Sequence, residues 1–286
     1  MRKKSGIIST IILLIILLVG LSVMLYPTVS DWWNSKVQSY AVANYNETVQ
    51  QLDPDRYNEI WEAAHNYNSR LNQLASPFTE YDKLTDYNDI LNIGDSGIIG
   101  YISIPVIDVE LPIYHGTSAE VLNVAAGHLE GSSLPVGGTN THAVISAHRG
   151  LPSARLFTDL DEIVIGDIFT VTVLDEILTY EVEDVITIEP HETNELSVIP
   201  NGDYVTLMTC TPYGINSHRL LIRSHRIETI YERNVKVNAD AAKVDQMLVI
   251  PFVAAPLVLI LICFWIFGGK KKSYIMKKDY MKLLNL

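Results

Sequence analysis

From Ile7 to Tyr26 the chain runs 20 residues without a charge, rich in Ile and Leu, behind a basic start of Arg2, Lys3 and Lys4. Twenty such residues suffice to cross the hydrocarbon core of a bilayer. The competing reading is a cleaved signal peptide, whose apolar core is typically about 7 to 15 residues and ends in small side chains. Here the stretch runs instead into Tyr26-Pro27 and Trp32-Trp33. An uncleaved transmembrane anchor over 7–26 is expected, behind a short basic tail at 1–6.

A second uncharged stretch, Met247 to Phe267, is followed by Lys270, Lys271, Lys272, Lys277, Lys278 and Lys282. Its Pro251 and Pro256 are of a kind that membrane helices tolerate. Basic flanks stay in the cytoplasm, so both termini are expected inside and residues 27 to 246 outside. The tails carry +3 and +5 against a whole-chain charge of -12, which leaves -20 on the outer segment. An acidic ectodomain of this kind is a poor candidate for nucleic acid, whose binders carry basic patches. That charge aids solubility or attracts a lysine-bearing partner.

Between Asp31 and Leu74, apolar and aromatic side chains recur at spacings of three and four (Val42, Tyr45, Val49, Leu52; then Tyr57, Ile60, Ala64, Tyr67, Leu71). Two amphipathic helices broken at Asp53-Pro54 are expected, followed by an aperiodic loop around Ser76-Pro77-Phe78. From Ile98 the texture changes to short Ile-, Val-, Thr- and Tyr-rich runs punctuated by Gly and Pro. Strands are expected at 98–104, 143–147, 168–174, 178–188, 204–209 and 220–226, with short helical turns at 118–123 and 153–160. So many short strands in about 130 residues suggest a closed or nearly closed β-barrel. The expected layout is a helical region and lid loop over 27–97, a barrel over 98–230, a linker over 231–246, a transmembrane helix over 247–267 and a basic tail over 268–286.

The chain has two cysteines, too few for a disulfide scaffold or a four-thiolate zinc site. Cys263 falls in the second apolar stretch, so Cys210 alone faces the outside. Strand-like Thr206-Leu207-Met208-Thr209 precedes it and turn-like Thr211-Pro212-Tyr213-Gly214 follows, which places the thiol at a strand end. A buried core cysteine is the alternative.

A thiolate nucleophile requires a base or a cation beside it. His148 also follows an apolar run and precedes a Gly-containing turn; His218 and His225 lie nearer in sequence, and spacing does not rank the three. Arg219 stands nine residues after Cys210. If the intervening residues join two antiparallel strands, its guanidinium lies beside the thiol and can stabilise an oxyanion, an effect typically worth about 2.7–4 kcal/mol. A surface salt bridge worth less than about 1 kcal/mol is the bland alternative. His142 and His148 match no zinc spacing, and Asp159, Asp161 and Glu162 read more readily as a solvated turn than as a calcium site. No cofactor and no metal are expected.

Longer motifs extend this reading. Thr206-Leu207-Met208-Thr209-Cys210-Thr211-Pro212-Tyr213-Gly214 and His218-Arg219-Leu220-Leu221 resemble the Thr-Leu-x-Thr-Cys signature and following arginine strand of sortases. His142 to Ala154, Tyr114-His115-Gly116-Thr117 and Gly127 to Pro135 resemble the class C, pilin-polymerising members, and so does a second membrane span. The resemblance covers roughly residues 98 to 228. It implies a mainly β fold, a sortase-like eight-stranded β-barrel with N-terminal helices and a transmembrane helix at each end. It implies Cys210 as nucleophile, His148 as acid/base and Arg219 as oxyanion partner, with Thr209 and Thr211 contacting substrate.

The implied reaction is cleavage of a Leu-Pro-x-Thr-Gly-like signal on a pilin or surface protein, through a thioester that a pilin lysine resolves. A sortase using a peptidoglycan amine, and a non-catalytic pilin-binding scaffold, are the rival readings. One position departs from the class: its lid carries Asp-Pro-aromatic where this chain has Ser76-Pro77-Phe78. A lid capped by Phe78 is expected, held more weakly because Ser76 lacks a carboxylate for Arg219.

Overall fold

The computed structural model describes residues 2–229. The expected linker, second span and C-terminal tail lie outside the described residues. The described residues divide between two compact units, with α1 up to Thr28 in one and residues 29–229 in the other.

Helix α1 runs Arg2–Gln50 with Pro27 inside it. The basic start and the apolar stretch are therefore helical from Arg2. Ile12, Leu13, Ile15, Ile16 and Leu18 are all more than half exposed on this helix, the placement of side chains whose solvent is lipid.

In the second unit, α1 buries Val42, Tyr45 and Val49, and α2 (Pro54–Leu71) buries Ile60, Ala64, Tyr67 and Leu71. The two helices break where Pro54 cannot continue the first. The Asp53 carboxylate caps the second, accepting from the Arg56 amide at 2.9 Å, an interaction worth about 1 kcal/mol. The expected loop after α2 is more structured than the sequence suggested. It holds the short helix α3 (Pro77–Glu80) and 3₁₀ turns at Tyr81–Lys83, Tyr87–Asp89 and Ile93–Asp95. Turns this short show no period, and what fixes them is the burial of Tyr87, Ile90, Leu91 and Ile93 against the rest of the fold.

Eight strands close a barrel: β1 (Ile98–Ile104), β2 (Val109–His115), β3 (Ala126–His128), β4 (Thr141–Ser146), β5 (Ile168–Val173), β6 (Glu176–Ile188), β7 (Asp203–Thr211) and β8 (His218–Ile227). Their order around the wall is β1-β2-β3-β4-β7-β8-β6-β5, with β5 returning to β1. Six coincide with the expected runs to within a few residues at each end. The other two escaped: Pro112 interrupts β2, and β3 is three residues long with Gly127 at its centre. Pro112 comes just before Ile113, where β2 begins to pair with β3, a place a strand proline can occupy.

The turn expected at 118–123 is helix α4 (Ala119–Leu122), capped by Ser118. The one expected at 153–160 is not helical. It holds a Leu151–Ala154 bridge and bends into a 3₁₀ turn at Leu160–Glu162, because Ala154, Leu156 and Phe157 turn inward to the core. The barrel interior is packed with Ile99, Ile102, Ile113, Phe169, Val171, Val205, Leu207 and Ile222. A second, smaller cluster of Val144, Ile188, Leu196 and Leu221 lies apart from that core.

Candidate active site

Along β7 the side chains alternate: Val205, Leu207 and Thr209 are buried, while Met208 and Cys210 point to the outer wall, where both are partly exposed. Antiparallel β8 sets Arg219 directly opposite Cys210, so the two side chains share that outer face. The connection between them occupies only residues 212–217.

His148 arrives from the other side of β7. β4 pairs with β7 in parallel as far as Ser146 opposite Met208. Ala147 carries the register on, its amide donating to the Met208 carbonyl at 3.2 Å. The Thr209 hydroxyl donates to the Ala147 carbonyl at 2.8 Å. The parallel pairing ends there, and His148 follows two residues beyond the end of β4, on the strand that neighbours β7. Thr209, expected to contact substrate, is 2% exposed with its hydroxyl committed to this tie. Thr211 is partly exposed at the end of β7, opposite His218.

Cys210, His148 and Arg219 are all half-buried. Among the described residues, neither the thiol nor the His148 ring has a hydrogen-bond partner, and no carboxylate lies within ion-pair reach of Arg219. Its guanidinium touches only neighbouring carbonyls, Asn216 at 3.4 Å and His218 at 3.1 Å, and its remaining N–H groups are free for a ligand. The rival histidines are placed otherwise. His225 stands opposite Tyr204, six residues along β7 from the thiol. The His218 ring meets Glu189 at 3.2 Å and the Ser217 hydroxyl at 2.8 Å.

Three more histidines are spent on structure. His128 is fully buried and held at about 4, well below the usual imidazole range, chiefly by loss of solvent. Its Nε2 donates to the Ser133 carbonyl at 2.8 Å while its Nδ1 accepts from the Tyr87 hydroxyl at 2.8 Å. His142 donates from Nδ1 to the Ser197 carbonyl at 2.8 Å and accepts at Nε2 from the Thr206 hydroxyl at 2.7 Å. Burial pushes His142 and His115 down as well.

The outer wall beside Arg219 is a cleft of about 340 Å³ whose lining includes Phe78, Tyr81, Leu129, Ile188, Leu196 and Met208. The Phe78 ring packs on the Val144, Ile188, Leu196 and Leu221 cluster. The Pro77-Phe78 backbone rests on the turn at Gly131, whose φ is +91°; a Cβ there would stand 3.0 Å from both Phe78 Cα and the Pro77 carbonyl. Ser76 caps α3 through its carbonyl, which accepts from the Thr79 and Glu80 amides at 3.0 Å. Its side chain makes no capping bond. Glu130, another wall residue of the cleft, has its carboxyl raised by burial and by nearby Asp82.

Several of these positions carried no signal in the sequence. Ile188 ends β6 and Leu196 lies within the β6–β7 connection, and both come to the cleft only through the fold. Arg149 pairs with Asp161 and lays its guanidinium 5.7 Å from the Tyr213 ring centre. Gly150, at φ +77°, lets that ring approach within 3.0 Å of where a Cβ would stand. The loop after His148 is thus clasped to the loop after Cys210. Asp159 pairs with Arg155, so two of the three carboxylates of the 159–162 turn are engaged by arginines.

A closed eight-stranded barrel thus carries Cys210 opposite Arg219 on its outer wall, with His148 just past the end of the neighbouring β4. The sortase domain family model matches residues 102–227. Sortase C1 from Streptococcus agalactiae is 45% identical, with a TM-score of 0.62, over 66% of this chain and 99% of that one. Sortase C from Streptococcus pneumoniae is 46% identical, with a TM-score of 0.60, over 66% of this chain and 97% of that one. The curated sortase A of S. agalactiae serotype III (strain NEM316) is 30% identical over 117 residues, 40% of this chain and 47% of that protein. The chain spans about half the length of the curated relatives it matches. It belongs to the sortase family, and within that family to class C.

Proposed function

We propose that the protein is a membrane-anchored cysteine transpeptidase that cleaves a Leu-Pro-x-Thr-Gly-like sorting signal and joins pilin subunits through isopeptide bonds to lysine. The observation that supports this reading best is the register of β7 against its two neighbours, with Cys210 opposite Arg219 and with β4, which leads into His148, paired in parallel on the other side as far as Met208. S. pneumoniae sortase C, 46% identical to this chain, is a protein with pilin substrate specificity.

The Cys210 thiolate attacks the carbonyl of the signal's Thr, and Arg219 donates hydrogen bonds to the oxyanion. The His148 imidazolium gives its proton to the departing Gly nitrogen as the peptide bond breaks and the thioester remains. A lysine amine of the next pilin then attacks the thioester, His148 takes its proton, and the thiolate leaves as the isopeptide bond forms.

Phe78, carried by Ser76-Pro77-Phe78, covers the cleft at rest, and Thr211 lies where substrate passes the thiol. The apolar part of α1 anchors the chain, and in this reading 247–267 crosses the membrane again, with both termini in the cytoplasm and the barrel outside. Cys210→Ala is expected to abolish the acyl-enzyme seen by intact-mass spectrometry with a sorting-signal peptide. Retained transpeptidation in that variant overturns the mechanism. With purified pilin as acceptor, ladders of covalent polymer are expected; transfer to a peptidoglycan amine in their place favours wall attachment.

A further inference from the structure

The segment that carries His148 is a closed ring. The His148 carbonyl accepts from the Phe157 amide at 3.1 Å, so residues 148–157 leave the barrel and return to one point. The near side of the ring is fixed by the Thr209 tie and the Arg149–Tyr213 clasp. Its far side is held by α1. The Asn34 side-chain amide donates to the Ser153 carbonyl at 2.7 Å, and the Asp31 carboxylate accepts from the Arg155 amide at 2.7 Å.

Residues 31 and 34 are three apart on one helix and share a face. They grip residues two apart in the ring, and both contacts are to backbone, so they fix the path of the loop itself. Arg155 adds a side-chain pair with Asp159 on the segment leading back to the barrel. We infer that Asp31 and Asn34 are positioning residues for His148. The first turn of α1 in this unit sets how far the histidine loop stands from the barrel wall, and so aligns the imidazole with the thiol. The inference rests on His148 acting as the acid/base.

The polarity of each contact makes it testable in the full-length protein in detergent or lipid. Asp31 must accept and Asn34 must donate. Asp31→Asn keeps an acceptor and is expected to retain turnover, whereas Asp31→Ala removes it. Asn34→Asp turns a carboxylate onto the Ser153 carbonyl, and Asn34→Ala leaves that carbonyl without its donor. The three disruptive variants are expected to lower kcat for sorting-signal cleavage about fivefold to tenfold, a modest share of the ~100-fold that a 1 Å misplacement can cost. KM should stay within about twofold, and the limb of the kcat–pH profile that reports His148 should move.

Asp31→Asn is expected to keep the wild-type profile. If Asp31→Asn loses as much as Asp31→Ala, or if Asp31→Ala and Asn34→Asp keep wild-type kcat and pH profile, the inference is overturned. The two failures separate: no thioester in the wild-type protein sinks the cysteine mechanism, while equal thioester chemistry in wild type and all variants sinks only the positioning role.

Discussion

His142 and His148 are six residues apart on one rising piece of chain, and their surroundings are opposite. His142 lies within β4, fully buried, with both ring nitrogens engaged by Ser197 and Thr206. His148 lies just past the strand end, half-buried, with neither nitrogen engaged among the described residues. An imidazole that works as a proton carrier needs a free nitrogen and some water. One that fills a polar niche in a wall needs the reverse, because a buried polar atom left unpaired costs free energy. The contrast teaches that residue type alone does not separate the two histidines, and that their surroundings do.

The sharpest way to break that contrast is to remove each ring in turn. His148→Gln is expected to cost about 10²- to 10⁴-fold in turnover, the usual weight of a positioned acid/base, with little change in thermal midpoint. His142→Ala is expected to leave the chemistry of the folded fraction intact and to destabilise the fold by about 1–3 kcal/mol for each partner left unpaired. Steady-state rates and thermal melts on the same two samples decide the matter, and an exchange of the two phenotypes would refute it.

Next in size is Arg219→Ala, expected to lower kcat by about 10²- to 10³-fold with thioester formation slowed in single-turnover assays. A loss below about tenfold would return Arg219 to the status of a surface cation.

A third test concerns His128, a second sealed histidine. Its folded value of about 4 lies below the ordinary 6.5, so between those pH values the unfolded chain binds a proton that the folded chain refuses. Stability is therefore full above about pH 6.5 and falls as pH drops towards 4, by up to about 1.4 kcal/mol per pH unit for one proton. His115 and His142, lowered in the same direction, add to the slope. His128→Gln is expected to flatten the dependence of the denaturation midpoint on pH over that window; an unchanged slope would assign it to other groups.

The smallest effect concerns the lid. In the proposed lid Ser76 offers no carboxylate to Arg219, and Phe78 packing and the Gly131 seat are the contacts that hold it. Deleting residues 75–80 is expected to speed alkylation of Cys210 by a small reagent severalfold, and an unaltered alkylation rate would show that Phe78 does not shield the thiol.

Much of this was legible in the sequence because it depends on local rules. A charge-free run of 20 residues demands an apolar solvent, Asp53-Pro54 ends one helix and caps the next, and alternating β-branched residues mark six of the eight strands. β2 and β3 hid behind a proline and a three-residue length. The turns at 81–95 hid because burial, not periodicity, fixes them. The motif residues Cys210, His148 and Arg219 were named from chain position and resemblance. That Cys210 and Arg219 are paired was implied by the short gap between them. That β4, which leads into His148, lies parallel beside β7 was not, because the two strands are about sixty residues apart in sequence.

By itself, then, the sequence determined the apolar anchor, the acidic charge of the segment between the two apolar stretches, and the residue types available for chemistry, since each follows from side chains and their near neighbours. Tertiary structure decided which histidines are sealed, what the Thr209 hydroxyl holds, and that Asp31 and Asn34 reach the loop behind His148. Those outcomes depend on strand order and register, where distant pieces of chain compete for the same hydrogen-bonding atoms, and no local pattern records which of them wins.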